Sequence, residues 1–120
     1  MNQEMAARRR KLIDALRSGR YRKARGQLRK GNRFCATGVA CDLFAQDHPI
    51  WMWDGDYFGK IGIMRGFGKI PPYAVVDYFG LDRVGVDYLM DANDQRGGWE
   101  PVITILEEDM PDVDSALVAE

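Results

Sequence analysis

The stretch of residues 28–44 constrains the fold more than any other part of the chain. Its segment Lys30-Gly31-Asn32 is typical of a tight turn, so we expect a hairpin here, with residues 34–36 as the return strand. Thr37 is the expected N-cap of a helix over residues 38–46. The buried face of that helix is expected to hold Val39, Leu43 and Ala40.

Glycine and proline residues keep the other elements short. A helix is predicted over residues 3–18, ended by Gly19. Further elements are predicted as a short strand or buried loop at 50–53, a helix between Pro71-Pro72 and Gly80, a helix over 86–93 burying Val86, Leu89, Met90 and Tyr88, and a helix from 99 to Pro111. These elements predict a single α+β domain over residues 1–111, with four or five short helices packed on a small antiparallel sheet or hairpin. Residues 112–120 are expected to form a flexible tail.

The overall charge of −1 conceals a strong asymmetry along the chain. Residues 1–33 hold 12 Lys and Arg against 2 Asp and Glu, a net charge of +10, whereas residues 34–120 hold 5 against 16, a net charge of −11. Such a division predicts a basic surface that meets an anionic partner. The alternative is that the basic third packs against the chain's own acidic remainder.

Composition favours an intracellular protein. At 120 residues, 46% of them hydrophobic, the chain is long enough for one independent core. Two cysteines do not form a disulfide framework, and the basic N-terminus has no apolar segment typical of a secretory signal. No apolar run is long enough for a membrane helix, so we expect no membrane partner.

Two groups of residues are candidates for binding. Basic residues with one aromatic neighbour form the first group, which would attract an anionic macromolecule: Arg17, Arg20, Tyr21, Arg22, Arg25, Arg29 and Arg33. Aromatic residues of the following acidic part form the second group, because aromatic side chains are enriched at protein interfaces: Trp51, Trp53, Tyr57, Phe58 and Phe67. The alternative for this second group is that its side chains fill the hydrophobic core.

Catalysis and cofactor binding have weaker signals. Cys35 precedes the expected helix start, where thiolate nucleophiles often lie, but His48 is expected at the opposite end of that helix. Cys41 is expected to be a small core residue. No ligand set for a metal, no phosphate-binding glycine loop and no dinucleotide motif is complete, so no catalytic residue, metal or other cofactor is expected.

Three patches together resemble a family of small proteins that are encoded mainly by tailed bacteriophages and prophages. They are Ala15–Tyr21 with Gly26–Arg29 and Arg33–Leu43, then Ile70–Pro72 through Phe79–Leu81, and finally Leu89, Asn93-Asp94 and the helix from Trp99. Family members often carry a second cysteine directly after the first, where this chain has Ala36. The resemblance implies a phage origin and action in the host cell cytoplasm, and it transfers no catalytic residues.

These observations lead to a ranked set of functional hypotheses. The first is a small phage accessory protein that acts as a non-enzymatic binding module on a host protein. The second is a nucleic-acid-binding protein that uses the basic N-terminal third. The third is a cysteine-dependent hydrolase or transferase, for which Cys35 would be the nucleophile.

Overall fold

The computed structural model describes residues 2–62 and 66–108. Along these residues, five helices and five short strands form an α+β fold, as predicted. The elements are α1 (Gln3–Arg17), β1 (Arg22–Lys23), β2 (Arg29–Lys30), β3 (Arg33–Phe34), α2 (Ala36–Asp47), β4 (Trp51–Asp54), β5 (Tyr57–Lys60), α3 (Tyr73–Tyr78), α4 (Arg83–Asp94) and α5 (Glu100–Glu108).

Helix α1 forms where the sequence predicts it. The side chain of Asn2 caps it by accepting a hydrogen bond from the backbone N–H of Met5 at 2.8 Å. Its apolar stripe is buried, with Leu12, Ile13 and Leu16 each no more than 2% exposed. The chain then leaves the helix through Gly19, whose positive φ of 81° favours glycine.

The predicted hairpin around Gly31 is present, but its sheet is mixed. Strands β2 and β3 pair antiparallel, and Gly31 adopts φ 63° in the turn between them. Strand β1 pairs with the other side of β3 in parallel, which gives the strand order β1-β3-β2. Local sequence carries no signal for the parallel pair, because the two strands are brought together by the intervening loop and not by a turn.

Helix α2 begins earlier than the sequence predicts, and the expected Thr37 cap is wrong. Cys35 is the N-cap: its backbone is extended and its Sγ accepts a hydrogen bond from the N–H of Gly38 at 3.3 Å. Thr37 lies inside the first turn, where it is 2% exposed and its hydroxyl contacts the Cys35 Sγ at 3.2 Å. Val39 and Ala40 are fully buried as predicted, whereas Leu43 is only partly buried.

The first turn of α2 lies directly against the backbone of Leu28. A Cβ atom added to Gly38 would be 1.8 Å from the Leu28 carbonyl oxygen. The same oxygen accepts a hydrogen bond from the N–H of Cys35 at 3.0 Å. Only glycine permits this approach, and it fixes the small sheet relative to the helix.

Strands β4 and β5 form a second, two-stranded antiparallel sheet, so of the two forms expected at 50–53 the structure has the strand. Trp51 and Trp53 point towards the core on alternate positions of β4, which leaves Ile50 and Met52 on the other face. Phe58 of β5 is completely buried and also bridges to Phe67.

The last three helices close the core. The predicted short helix after Pro71 is α3, and Gly80 follows it at φ 67°. In α4, Val86 and Leu89 are buried as predicted, but Tyr88 is 60% exposed, so its expected place in the core is wrong. Helix α5 buries a stripe as predicted, and this stripe consists of Val102, Ile103 and Leu106. The expected stop at Pro111 and the expected tail lie outside the described residues.

Candidate macromolecule-binding surfaces

Three cations of α1 pair with carboxylates within the molecule. The guanidinium of Arg8 pairs with Glu4 at 2.6 Å. Arg17, a predicted binding residue, contacts the carboxylate of Glu107 at 3.0 Å, and Arg10 approaches the same carboxylate at 3.9 Å. In this helix, therefore, the basic third does pack against the acidic remainder of the chain.

Arg9 is a structural residue. It is 4% exposed, and its guanidinium donates hydrogen bonds to the carbonyl oxygens of Phe79 at 2.9 Å, Gly80 at 2.6 Å and Leu106 at 3.4 Å. These carbonyls follow α3 and lie in the last turn of α5, where helices leave acceptors without intrahelical partners. Arg9 thus ties α1 to two helix ends far along the chain.

The cations of the small sheet are arranged differently. Arg33 of β3 lies directly between Arg22 of β1 and Lys30 of β2, because both pairs are in register. All three side chains are exposed and share one face of the sheet. We call these three residues the cationic row. Across residues 2–62 and 66–108, no carboxylate lies within 4.0 Å of any of them.

The opposite face of the same sheet is occupied by Lys23, Phe34 and Arg29, all partly buried. The guanidinium of Arg29 lies 5.3 Å from the Phe34 ring and 5.4 Å from the Trp53 ring. Its Nε also donates a hydrogen bond to the Gly31 carbonyl at 2.7 Å. Arg29, predicted to bind a partner, therefore has partners inside its own domain.

Lys23 holds the loop that follows α4. Its Nζ donates to the carbonyl oxygens of Gln95 at 2.6 Å, Gly97 at 3.2 Å and Gly98 at 3.4 Å. Partial burial and then the charge of Arg25 lower the pKa of Lys23, while Asp94 opposes this shift. The loop is therefore fixed beside the sheet by a side chain of β1.

A cavity of about 450 Å³ lies between the cationic row and this loop. It is lined by Lys23, Ala24, Arg25, Lys30, Arg33 and Gly97. Arg25 is also exposed. Like the three residues of the cationic row, it has no carboxylate within 4.0 Å among the described residues. The lining contains no large apolar side chain.

Arg20 and Tyr21 lie at the start of this basic region. The Tyr21 hydroxyl donates to Asp42, and its ring packs edge-on against Phe34 with centroids 5.2 Å apart. Burial, followed by this hydrogen bond, raises the pKa of Tyr21. The exposed Arg20 is placed 5.8 Å from the Tyr21 ring. Tyr21 is thus fastened to the core and not presented for stacking on a base.

Four of the five predicted aromatic contact residues, namely Trp51, Trp53, Phe58 and Phe67, lie on the core side of the molecule, and Tyr57 does not. Phe58 has no exposed surface, so it is not part of a contact surface. The indole Nε1 of Trp53 donates to Asp42 at 3.1 Å, and the Trp51 ring lies 5.7 Å from the Phe58 ring. Both tryptophans are only partly exposed, and their rings pack on buried neighbours.

On the other face of this hairpin, sequence reasoning included Tyr57 but missed its neighbours Ile50, Met52 and Ile61. Ile50, Met52, Tyr57 and Ile61 are between 48% and 57% exposed. Register places them together, because Met52 is opposite Gly59, Asp54 is opposite Tyr57 and Ile50 bonds to Ile61. We call this the outer hairpin face. The sequence signal for Ile50 and Met52 was their alternation with the two tryptophans, because successive side chains of a strand point to opposite faces of the sheet.

A cleft of about 660 Å³ is lined by residues of the outer hairpin face and by Trp53 and Lys60 of the opposite face. Met52, Tyr57 and Ile61 line it, with the charged residues Asp54 and Lys60 at the same cleft. This volume falls within the range of typical ligand pockets, which is roughly 300–1,000 Å³. The cleft therefore offers apolar contact area with a charged group of each sign.

The geometry around Cys35 does not favour nucleophilic chemistry. The residue is 5% exposed, and burial raises the pKa of its thiol. His48 is engaged elsewhere: its Nδ1 lies 2.9 Å from the Phe44 carbonyl, and its ring stacks on the Phe44 ring at 3.9 Å. Cys41 is fully buried, which confirms its expected place in the core.

Comparison with known proteins adds a family to this description. Fold and surfaces define a small α+β domain that has a cationic sheet face and an apolar hairpin face. A family model described as a domain of unknown function (DUF8296) matches residues 1–108, and the chain belongs to this family. No curated protein and no solved structure matches it. In the described part of the chain, no helix is long and apolar enough to span a membrane, and no three His, Cys, Asp or Glu residues are grouped for metal binding.

Proposed function

We propose that this protein is a small phage-encoded accessory protein that acts as a non-enzymatic binding module on a host protein, in the host cytoplasm. The sequence patches that resemble tailed-phage proteins support the phage origin. The outer hairpin face is the observation that supports the binding role. Four large apolar side chains are exposed together there on a two-stranded sheet.

An exposed apolar face of this kind is uncommon on a protein that acts alone. Contiguous apolar patches rimmed by polar residues mark interaction sites. Tyr57 supplies a large, stiff ring of the type that dominates binding energy at protein interfaces, and it is 57% exposed. The partner segment would place an aliphatic or aromatic side chain in the cleft beside Tyr57.

The charged residues of the cleft restrict which segment fits. Lys60 and Asp54 both line it, so a partner with flanking groups of opposite charge has complementary contacts at the rim. Such rim contacts select the partner more than they add affinity. The expected target is an apolar protein segment with charged flanks.

The cysteine-dependent alternative has lost its main support. A buried thiol with a raised pKa, whose Sγ accepts a hydrogen bond from the Gly38 N–H as a helix cap, is the opposite of an activated nucleophile. Cys35 is accordingly assigned a structural role.

The experiment compares two pairs of substitutions. Met52→Asp with Ile61→Asp places charges on the outer hairpin face, whereas Tyr73→Asp with Tyr88→Asp places them at sites 77% and 60% exposed on α3 and α4. The immobilised wild-type protein is used to capture partners from a lysate of the bacterial host, and each captured protein is then purified and titrated.

The proposal predicts a purified partner whose Kd is weakened at least tenfold by the hairpin pair, a loss of about 1.4 kcal/mol. The control pair should leave that Kd within about twofold of the wild type. If the two double variants bound the purified partner with the same Kd, a role for the outer hairpin face would be contradicted.

A further inference from the structure

We propose that the cationic row is a second, separate binding surface, which holds the phosphodiester backbone of a nucleic acid without reading its sequence. The proposal does not depend on the protein partner of the outer hairpin face. It is carried by the arrangement of Arg22, Arg33 and Lys30 across three strands.

Like charges directly opposite each other destabilise a sheet. Adjacent strands are about 4.8 Å apart, so the three cations occupy a line about 10 Å long. Three cations of α1, Arg8, Arg10 and Arg17, do have carboxylate partners. No described carboxylate pairs with the cationic row, and an external polyanion would remove the repulsion.

Two aspartates lie near this surface, and both are engaged by the backbone. Asp94 Oδ1 accepts a hydrogen bond from the N–H of Gly26 at 3.2 Å. Asp56 Oδ1 accepts one from the N–H of Gly31 at 2.9 Å. These bonds fix the carboxylates on the loops that flank the strands and leave the row itself cationic.

The cavity beside the row gives the backbone a place to lie. Its far wall is the loop that Lys23 holds by three carbonyl hydrogen bonds. Arg25, Lys30 and Arg33 line the same space of about 450 Å³. Guanidinium groups bind phosphate through paired N–H donors, which suits arginines at this position.

The residues that line this cavity favour a nucleic acid over an acidic protein surface as the binding partner. Protein interfaces have an apolar and aromatic centre, in which Lys is depleted. Interfaces with nucleic acids are more polar and much more positively charged. Beyond Ala24 and Gly97 this cavity is lined by cations alone, and Tyr21 is fastened to Asp42, so no ring is offered to a base. The surface is therefore expected to contact the phosphate backbone of the nucleic acid without reading its base sequence.

The test is a fluorescence anisotropy titration of the full chain with a labelled duplex of about 20 bp between about 50 and 200 mM NaCl. Three phosphate contacts predict a slope of log K against log[salt] of about −2.7, which is a loss of affinity of about 40-fold over that range. Arg22→Gln with Arg33→Gln should reduce the slope by about 1.8. Lys11→Gln with Lys69→Gln removes two exposed cations elsewhere and should leave most of the affinity.

Three results would overturn the proposal. The first is no anisotropy change with the wild type at the lowest salt concentration. The second is an equal loss for the two double variants, since that reflects net charge and not the row. The third is displacement of the duplex by polyglutamate at a lower charge concentration than by unlabelled duplex, which assigns the row to an acidic protein. Circular dichroism and urea unfolding confirm that both double variants are folded.

Discussion

Replacing Gly38 with alanine adds one methyl group at the closest approach between α2 and the small sheet. That Cβ would lie 1.8 Å from the Leu28 carbonyl oxygen, whereas such contacts essentially never fall below 3.0 Å. The two backbones must therefore separate by about 1.2 Å, the difference between those distances. Overpacking of this kind costs about 2 kcal/mol. The shift also breaks the bond from Cys35 N–H to the same oxygen, which contributes about 1 kcal/mol.

Helix propensity acts in the opposite direction. Alanine is better than glycine inside a helix by about 1 kcal/mol. The net expectation is that Gly38→Ala lowers the free energy of unfolding by about 2 kcal/mol, and therefore lowers the urea midpoint by about 1 M.

The measurement is urea unfolding followed by circular dichroism, with Gly98→Ala as the matched control. A Cβ at Gly98 meets no atom within 4 Å, so this control should change the free energy by less than about 0.5 kcal/mol. If Gly38→Ala were as stable as the wild type, or more stable, propensity would outweigh the contact and the reasoning would be refuted.

Three further predictions concern the buried polar groups. Arg9→Met should lower the free energy of unfolding by about 3 kcal/mol, because three carbonyls lose a charged donor; a loss below about 1 kcal/mol would contradict that role. Cys35 should react with iodoacetamide much more slowly than free cysteine at neutral pH, since burial raises its pKa; labelling at the free rate would disprove this. The raised pKa of Tyr21 means that its stabilisation is complete below the unfolded pKa of about 10 and is lost as the pH rises further. The wild type should accordingly lose more stability above pH 10 than Tyr21→Phe does, and equal losses would exclude the effect.

The elements that the sequence predicted well are those marked by local backbone chemistry. The turn at Gly31 needs a positive φ, which glycine supplies in any surroundings. Gly19 and Gly80 ended their helices for the same reason. Apolar periodicity likewise placed α5, because one face of a helix must be buried whatever it packs against.

The features that were missed depend on contacts between distant residues. The parallel pairing of β1 with β3 has no local signal, and that pairing is what brings Arg22 beside Arg33. The cap at Cys35 was also missed, because cysteine is not among the usual capping residues. Aromatic content alone does not tell which face of a strand is buried, so Phe58 was placed at the surface and Met52 was not.

In the basic N-terminal third, some cations pack against carboxylates of the chain itself and others are exposed without a described carboxylate partner. In α1, Arg8, Arg10 and Arg17 pair with glutamates, whereas no carboxylate among the described residues lies within 4.0 Å of the cationic row. Sequence alone did not separate these groups, because Arg9 in a buried site and Arg22 on an exposed strand have the same side chain.

The most direct test of the central claim, that no carboxylate among the described residues pairs with the cationic row, is the stability of Arg33→Gln. The Nη1 of Arg33 has one long hydrogen bond, to the Lys23 carbonyl at 3.5 Å. Removing the middle charge should raise the free energy of unfolding by about 0.5 kcal/mol at about 10 mM salt and have no effect at about 1 M. Arg17→Gln, which breaks an exposed pair with Glu107, should instead lower it by about 0.3 kcal/mol at low salt. A loss of about 1 kcal/mol or more for Arg33→Gln would show that an internal carboxylate neutralises Arg33 and would contradict the account.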